Sequence, residues 1–171
     1  MSASLQTEIA ELVAARACEQ AIIAFCDLMD AGAVAEAVAL HHPDAVMFDA
    51  VGDARIEGTE AIQARLERVR FSYPNRRTLH VPSNIRLAMT DEGSMAGGYI
   101  VALYDLVEVK GGRGIGARST ELLGFAHEDV VFSPDAEGRW LYATRRVRFL
   151  AGAKRLPIGV LPSGLPFEES D

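Results

Sequence analysis

The 171 residues are 49% hydrophobic and 24% charged, enough chain and apolar content for a single globular domain with a sizeable core. A formal net charge of −7 speaks against a phosphate-tracking surface, which needs clustered Lys and Arg, so a nucleic-acid partner is not expected. The N-terminus has acidic residues in its first turns and no basic region, and no apolar run approaches ~18 residues, so neither a secretory signal nor a membrane partner is expected.

From Ser4 to Asp30 the apolar residues Ile9, Leu12, Val13, Ala17, Ala21, Ala24 and Leu28 recur at three- and four-residue intervals and predict one face of a long helix ending at Gly32. Cys18 and Cys26 would stand about 12 Å apart on that helix, too far for a disulfide, which suits a reduced, cytoplasmic protein. A second helical piece, Ala33 to Leu40, stops ahead of Pro43. Val46 to Phe48 and Arg55 to Glu57 read as two short strands joined by the turn Val51 to Ala54. A third helix begins at Gly58-Thr59-Glu60, with Thr59 as N-cap and Ile62, Leu66 and Val69 as its apolar stripe, and ends before Tyr73-Pro74-Asn75.

Four long strands follow: Thr78 to Met89, Ser94 to Val109, Arg118 to Phe132 and Arg139 to Leu150. They are separated by turn compositions at Thr90 to Gly93, Lys110 to Gly116 and Ser133 to Gly138. Helices first and an antiparallel meander afterwards predict an α+β fold, with helices on the concave face of a curved sheet and a pocket between them. Gly97-Gly98 fits a bulge or sharp bend. Residues 1–154 form the domain in this reading. The proline-rich tail from Arg155, with Ile158, Val160, Leu161, Leu165 and Phe167, is expected to cover its own barrel or a neighbouring subunit's.

Most motif-like stretches have structural explanations. Lys110 to Gly116 lacks the Gly-Lys-Ser/Thr ending of a phosphate loop, and His41-His42-Pro43-Asp44 and His127-Glu128-Asp129 have no second cluster at a metal-ligand spacing, so no metal is expected. Arg145, Arg146 and Arg148 are expected to pair with surface carboxylates, with Arg146 kept as a candidate anion contact. No nucleophile elbow and no activated cysteine occurs. His80 remains. On strict alternation Leu79, Val81, Ile85 and Leu87 share one side and Thr78, His80, Asn84 and Arg86 the other, unless a bulge at Pro82 resets the register. Asp30, poorly placed at the negative end of the first helix, invites a cationic or protonatable partner across the cavity.

The order of long helix, "LMDAG", "HHPDAVMFDAVGDARIEG" with a following helix, "RTLHVPSNIRL" and a final "GRWLYATRRVRF" resembles the SnoaL-like branch of the NTF2-like superfamily, over about residues 5 to 150. Within it the pattern is most similar to scytalone dehydratase and hexachlorocyclohexane dehydrochlorinase, small lyases that work without a cofactor through a histidine and an aspartate. That resemblance implies an NTF2-like, cystatin-like cone and puts His80 and Asp30 at the catalytic positions. It also shows departures. Phe25 stands where the dehydrochlorinase has a lysine, Met29 and Asp49 where the dehydratase has tyrosines, and Tyr104-Asp105 where the dehydratase has a further histidine, so neither parent reaction is expected unchanged.

An imidazole titrates near neutrality and can take a proton from carbon, while a carboxylate on its other nitrogen sets the tautomer and steadies the cation. Such a pair supports proton abstraction, elimination or isomerisation without metal or cofactor, and the resemblance implies a lyase or isomerase, dehydratase-like, acting on a small hydrophobic or polyketide-like molecule. Tyr99, Tyr104 and Asn84 are candidate donors to a substrate oxygen, Asp49 a second acid or base, and Phe25, Met29 and Arg146 further ligand contacts. The alternative is a non-catalytic ligand-binding or oligomerisation domain. An apolar outer sheet face with Leu79, Val81, Ile85, Ile100 and Val131 predicts a homodimer or homotrimer.

Overall fold

The computed structural model describes residues 3–50, 53–71, 77–108 and 118–152. The elements are α1 (Ala3–Ala31), α2 (Val34–Val38), β1 (His41–Phe48), β2 (Arg55–Glu57), α3 (Thr59–Phe71), β3 (Arg77–Met89), β4 (Met95–Glu108), β5 (Arg118–Pro134) and β6 (Trp140–Gly152). The strands make one curved, unclosed sheet in the order β2-β1-β6-β5-β4-β3, antiparallel except where β1 runs parallel to β6. This is the α+β arrangement that the strand meander predicts. The turn at Val51-Gly52, Tyr73-Pro74-Asn75, the Lys110 to Gly116 connection and the proline-rich tail lie outside the described residues.

The first helix buries a different stripe from the expected one. Ala14, Cys18, Ala21, Ile22, Phe25 and Cys26 are buried, whereas Leu12 and Val13 are 70% and 65% exposed. An alanine-rich helix carries more than one apolar stripe, and contact with the sheet selects the one whose small residues allow close approach. Burial pushes both Cys18 and Cys26 thiols up to about 12, so neither is a ready nucleophile. The second helix is shorter than the expected Ala33 to Leu40, and β1 begins at His41 rather than at Val46.

The inner face of the sheet follows from pairing. Met89, Met95, Phe132 and Tyr142 stand in one row across β3 to β6, and Leu87, Gly97, Val130 and Arg145 in the next. These rows, with α1 and with Ile62 and Leu66 of α3, make the core. Further along the same face come Tyr99, Glu128 and Val147, then Pro82, Val101, Ala126 and Phe149, then His80, Leu103 and Gly124. Phe149 faces inward and is still 40% exposed, so this end of the face is open to solvent.

Irregular pairing decides which residues reach that face. In β3, Asn84 and Ile85 together oppose Tyr99 alone, and Asn84 has φ +52. The reset falls at Asn84 rather than Pro82, and it splits the expected apolar set. Ile85 and Leu87 pack on the core, while Leu79 and Val81 are about 40% exposed on the outer side. In β6 the pairs Phe132 with Tyr142 and Val131 with Thr144 leave Ala143 as an extra residue. Tyr142 and Arg145 therefore both point inward, three positions apart.

Gly97-Gly98 serves close approach rather than a bulge of its own. A Cβ on Gly97 would stand inside van der Waals contact of the Arg86 carbonyl, and one on Gly98 would lie 2.8 Å from the Glu128 carbonyl oxygen. Because both obstacles are backbone, Gly97→Ala is expected to lower unfolding free energy by about 2 kcal/mol or more. Urea denaturation checks this, and a midpoint equal to the parent's would contradict it.

Candidate active site

Asp30 lies in the last turn of α1, where its charge opposes the helix dipole and no helical N–H is free to satisfy it. Its partner is on β3. The Asp30 carboxylate accepts the backbone N–H of His80 at 2.8 Å through Oδ2 and lies 2.5 Å from the ring Nδ1 through Oδ1. β3 is the edge of the sheet, so its outward N–H groups have no neighbouring strand, and Asp30 takes the one at His80. A carboxylate can only accept, which puts the ring proton on Nδ1 and leaves Nε2 with the lone pair in the neutral imidazole. The two side chains keep 21% and 16% of their surface, so the pair is sheltered but not sealed.

Deeper in the cone lies a buried polar cluster. Arg145 donates from Nε to Glu128 Oε2 at 2.5 Å and from Nη2 to Oε1 at 2.8 Å, and the Tyr99 hydroxyl donates to Oε2 at 2.6 Å. Burial opposes ionisation of Glu128, but the adjoining guanidinium and these hydrogen bonds outweigh it and hold the carboxyl below its usual range. Burial likewise disfavours the Arg145 cation, and Glu128 reverses that. The guanidinium also sits 4.0 Å above the Phe25 ring. Phe25 meets His41 and Tyr142 edge-on, and His41 stacks on Tyr142 at 4.9 Å between centroids. Burial, with Arg145 nearby, lowers the His41 pKa to about 4. His41 is therefore neutral near pH 7, with Nδ1 donating to the Ala37 carbonyl at 3.2 Å.

Of the residues singled out in the sequence, the structure brings together His80 and Asp30. Phe25 and Met29 lie on the same helix one turn apart, the first buried under Arg145 and the second packed against the core. Tyr99 is fully buried, with its hydroxyl committed to Glu128. Asn84 is exposed at the irregular step of β3, and Tyr104 pairs with Leu79 and shares its outer face, so neither stands beside the imidazole. Asp49 pairs with Arg65 of α3 at the far edge of the sheet, which ties α3 to the end of β1. Arg146 binds Asp53 at 2.6 Å on the outer face and covers the Phe48 ring. Arg145 is the correction to the expected surface pairing, because Ala143 turns it inward. Among the described residues no group of three His, Cys, Asp or Glu is arranged to hold a metal. No helix there is long and apolar enough to cross a membrane.

The SnoaL-like domain model matches residues 10–146. No curated protein matches the chain. Among solved structures, Aln2 from a Streptomyces species is similar with a TM-score of 0.65 at 15% identity, over 87% of this chain and 93% of that one. A candidate scytalone dehydratase from Novosphingobium aromaticivorans superposes with a TM-score of 0.66 at 17% identity, over 94% and 97% of the two chains. An NTF2-like protein with a cystatin-like fold, also from N. aromaticivorans, gives 0.67 at 17%, over 88% and 90%. At such identities these likenesses speak to the fold.

The buried neutral His41 makes stability depend on pH. Its pKa is about 4 folded against 6.5 for the free side chain, so between those values the unfolded chain binds the extra proton. The contribution is fully present above about pH 6.5 and is lost as pH falls towards about 4, about 3 kcal/mol in all. His41→Phe, which keeps a ring against Tyr142, is expected to flatten that part of the urea midpoint's fall with acid. An unchanged slope would remove His41 from the account.

Proposed function

Because the chain belongs to the SnoaL-like domain family, we propose that it is a lyase or isomerase that abstracts a proton from a small hydrophobic or polyketide-like molecule with His80 as base and Asp30 as its orienting partner. The observation that supports this is the doubly held imidazole. A single carboxylate anchors both the backbone N–H and Nδ1 of His80, so ring position and tautomer are set before a substrate arrives.

In the reaction, Nε2 takes the proton from a carbon next to a carbonyl, and the C–H electron pair passes into an enolate. The imidazolium is steadied by Asp30. The proton then returns either to another carbon, giving an isomer, or to a departing hydroxyl on the β-carbon, giving water and a new C=C bond. Both outcomes balance with these two side chains alone, and general-base assistance of this kind contributes ~10²–10⁴-fold. Phe149 and Leu103, inward-facing near His80, offer the apolar wall that such a substrate needs.

One observation favours the second reading, a non-catalytic ligand-binding domain. Tyr99, Tyr104 and Asn84 all lie away from the imidazole or are already engaged, so none of them is a donor for an enolate oxygen. An enolisable bicyclic ketone separates the readings. Wild type in D₂O is expected to exchange the α-protons of 2-tetralone, with His80→Ala lowering the rate by about 10²-fold or more and Asp30→Asn by less. Circular dichroism should be unchanged in both variants. Exchange that survives His80→Ala at the parent's rate ends the catalytic proposal.

The outer sheet face carries Leu79, Val81, Leu122 and Phe125, all partly exposed, and we extend the proposal to a homodimer or homotrimer formed through it. Ile85 leaves that face for the core. Light scattering at micromolar concentration should give two or three chain masses, and a monomer mass would refute the assembly.

A further inference from the structure

We propose that Asn84 is the positioning residue of the histidine–aspartate pair: its left-handed backbone conformation adds one residue to β3 opposite Tyr99 and so turns the His80 imidazole to the inner face. The inference rests on the reading of His80 and Asp30 as the working pair and adds to it the device that assembles them.

Side chains alternate along a strand, so one extra residue exchanges the faces of everything on one side of it. Beyond the extra residue, Ile85, Leu87 and Met89 pack on the core, which leaves that half of β3 no freedom to turn over. Before it, His80 pairs with inward-facing Leu103, and Leu79 and Val81 point out, 40% and 41% exposed. A regular strand anchored by the same three residues would turn Leu79 and Val81 inward and put His80 on the outer face, away from Asp30 of α1. The observed strand leaves both apolar side chains about 40% exposed and gains the contact between His80 and Asp30, a local departure of the kind that accompanies function.

The residue at the switch suits the task. Asn84 has φ +52, a region that L residues other than Asn, Asp and Gly seldom enter and that β-branched ones avoid most. Its side chain is exposed, so core packing does not account for it, and what distinguishes the position is its backbone shape.

The test reads the imidazole directly. In ¹⁵N-labelled wild type, His80 should show a proton on Nδ1 that is shifted downfield and exchanges slowly, as a hydrogen bond to Asp30 requires. Asn84→Gly, which accepts positive φ, is expected to keep this signature and the exchange of 2-tetralone. Asn84→Val is expected to lose the signature and to slow exchange by about a hundredfold. Should the valine variant fail to fold, deletion of Asn84 is read instead, and it too should abolish the signature. A folded Asn84→Val or deletion chain that keeps the Nδ1 signal, or a glycine variant that loses it, overturns the inference. A wild type that shows the signal but exchanges no proton ends the catalytic reading and leaves the positioning role in place.

Discussion

Two sets of side chains compete for the inner face of β3, and alternation allows a regular strand to serve only one of them. Ile85, Leu87 and Met89 pack on the core, and His80 meets Asp30 at the end of α1. The extra residue at Asn84 reconciles them. Asp30 then answers three separate demands at once. It caps an edge N–H, it orients an imidazole, and it finds a compensating donor for a carboxylate that the helix dipole disfavours.

The same device recurs on β6, with a different result. Ala143 shifts the pairing so that Tyr142 and Arg145 both enter the core, where Arg145 meets Glu128 in a two-pronged contact. A guanidinium and a carboxylate removed from water are costly unless matched, and here the match is extended by Tyr99 and by the Phe25 face, although Arg145 Nη1 has no hydrogen-bond partner among the described residues. Such a cluster fixes β5 against β6, since parting them would strand a buried charge, and it joins β4 and α1 to them through Tyr99 and Phe25. The open end of the inner face, with Phe149, Leu103 and His80, lies beyond this polar floor. Rigidity below and accessibility above is the arrangement that a preorganised pocket requires.

Much of this is written in local pattern. Helical spacing in residues 4–30, the turn compositions and four long alternating runs are enough for an α+β fold with helices ahead of a meander. His80 and Asp30 stand out because each is awkward where it sits, one in an apolar run and the other at the wrong end of a dipole. By contrast, Arg145, Arg146 and Arg148 look alike in sequence, and only one of them is buried. Asn84 reads as a polar side chain suited to a substrate oxygen, and nothing local announces the φ of +52 that its backbone takes at the irregular step of β3.

The sequence by itself therefore determined the order and type of the helices and strands, though not all their limits, because propensity and hydrophobic period act over a few neighbouring residues. It also marked the two residues whose surroundings had to come from elsewhere in the chain. Only the tertiary structure decided which side chains share the inner face. That depends on how many residues of one strand oppose those of another, and a count across a pairing belongs to neither strand alone.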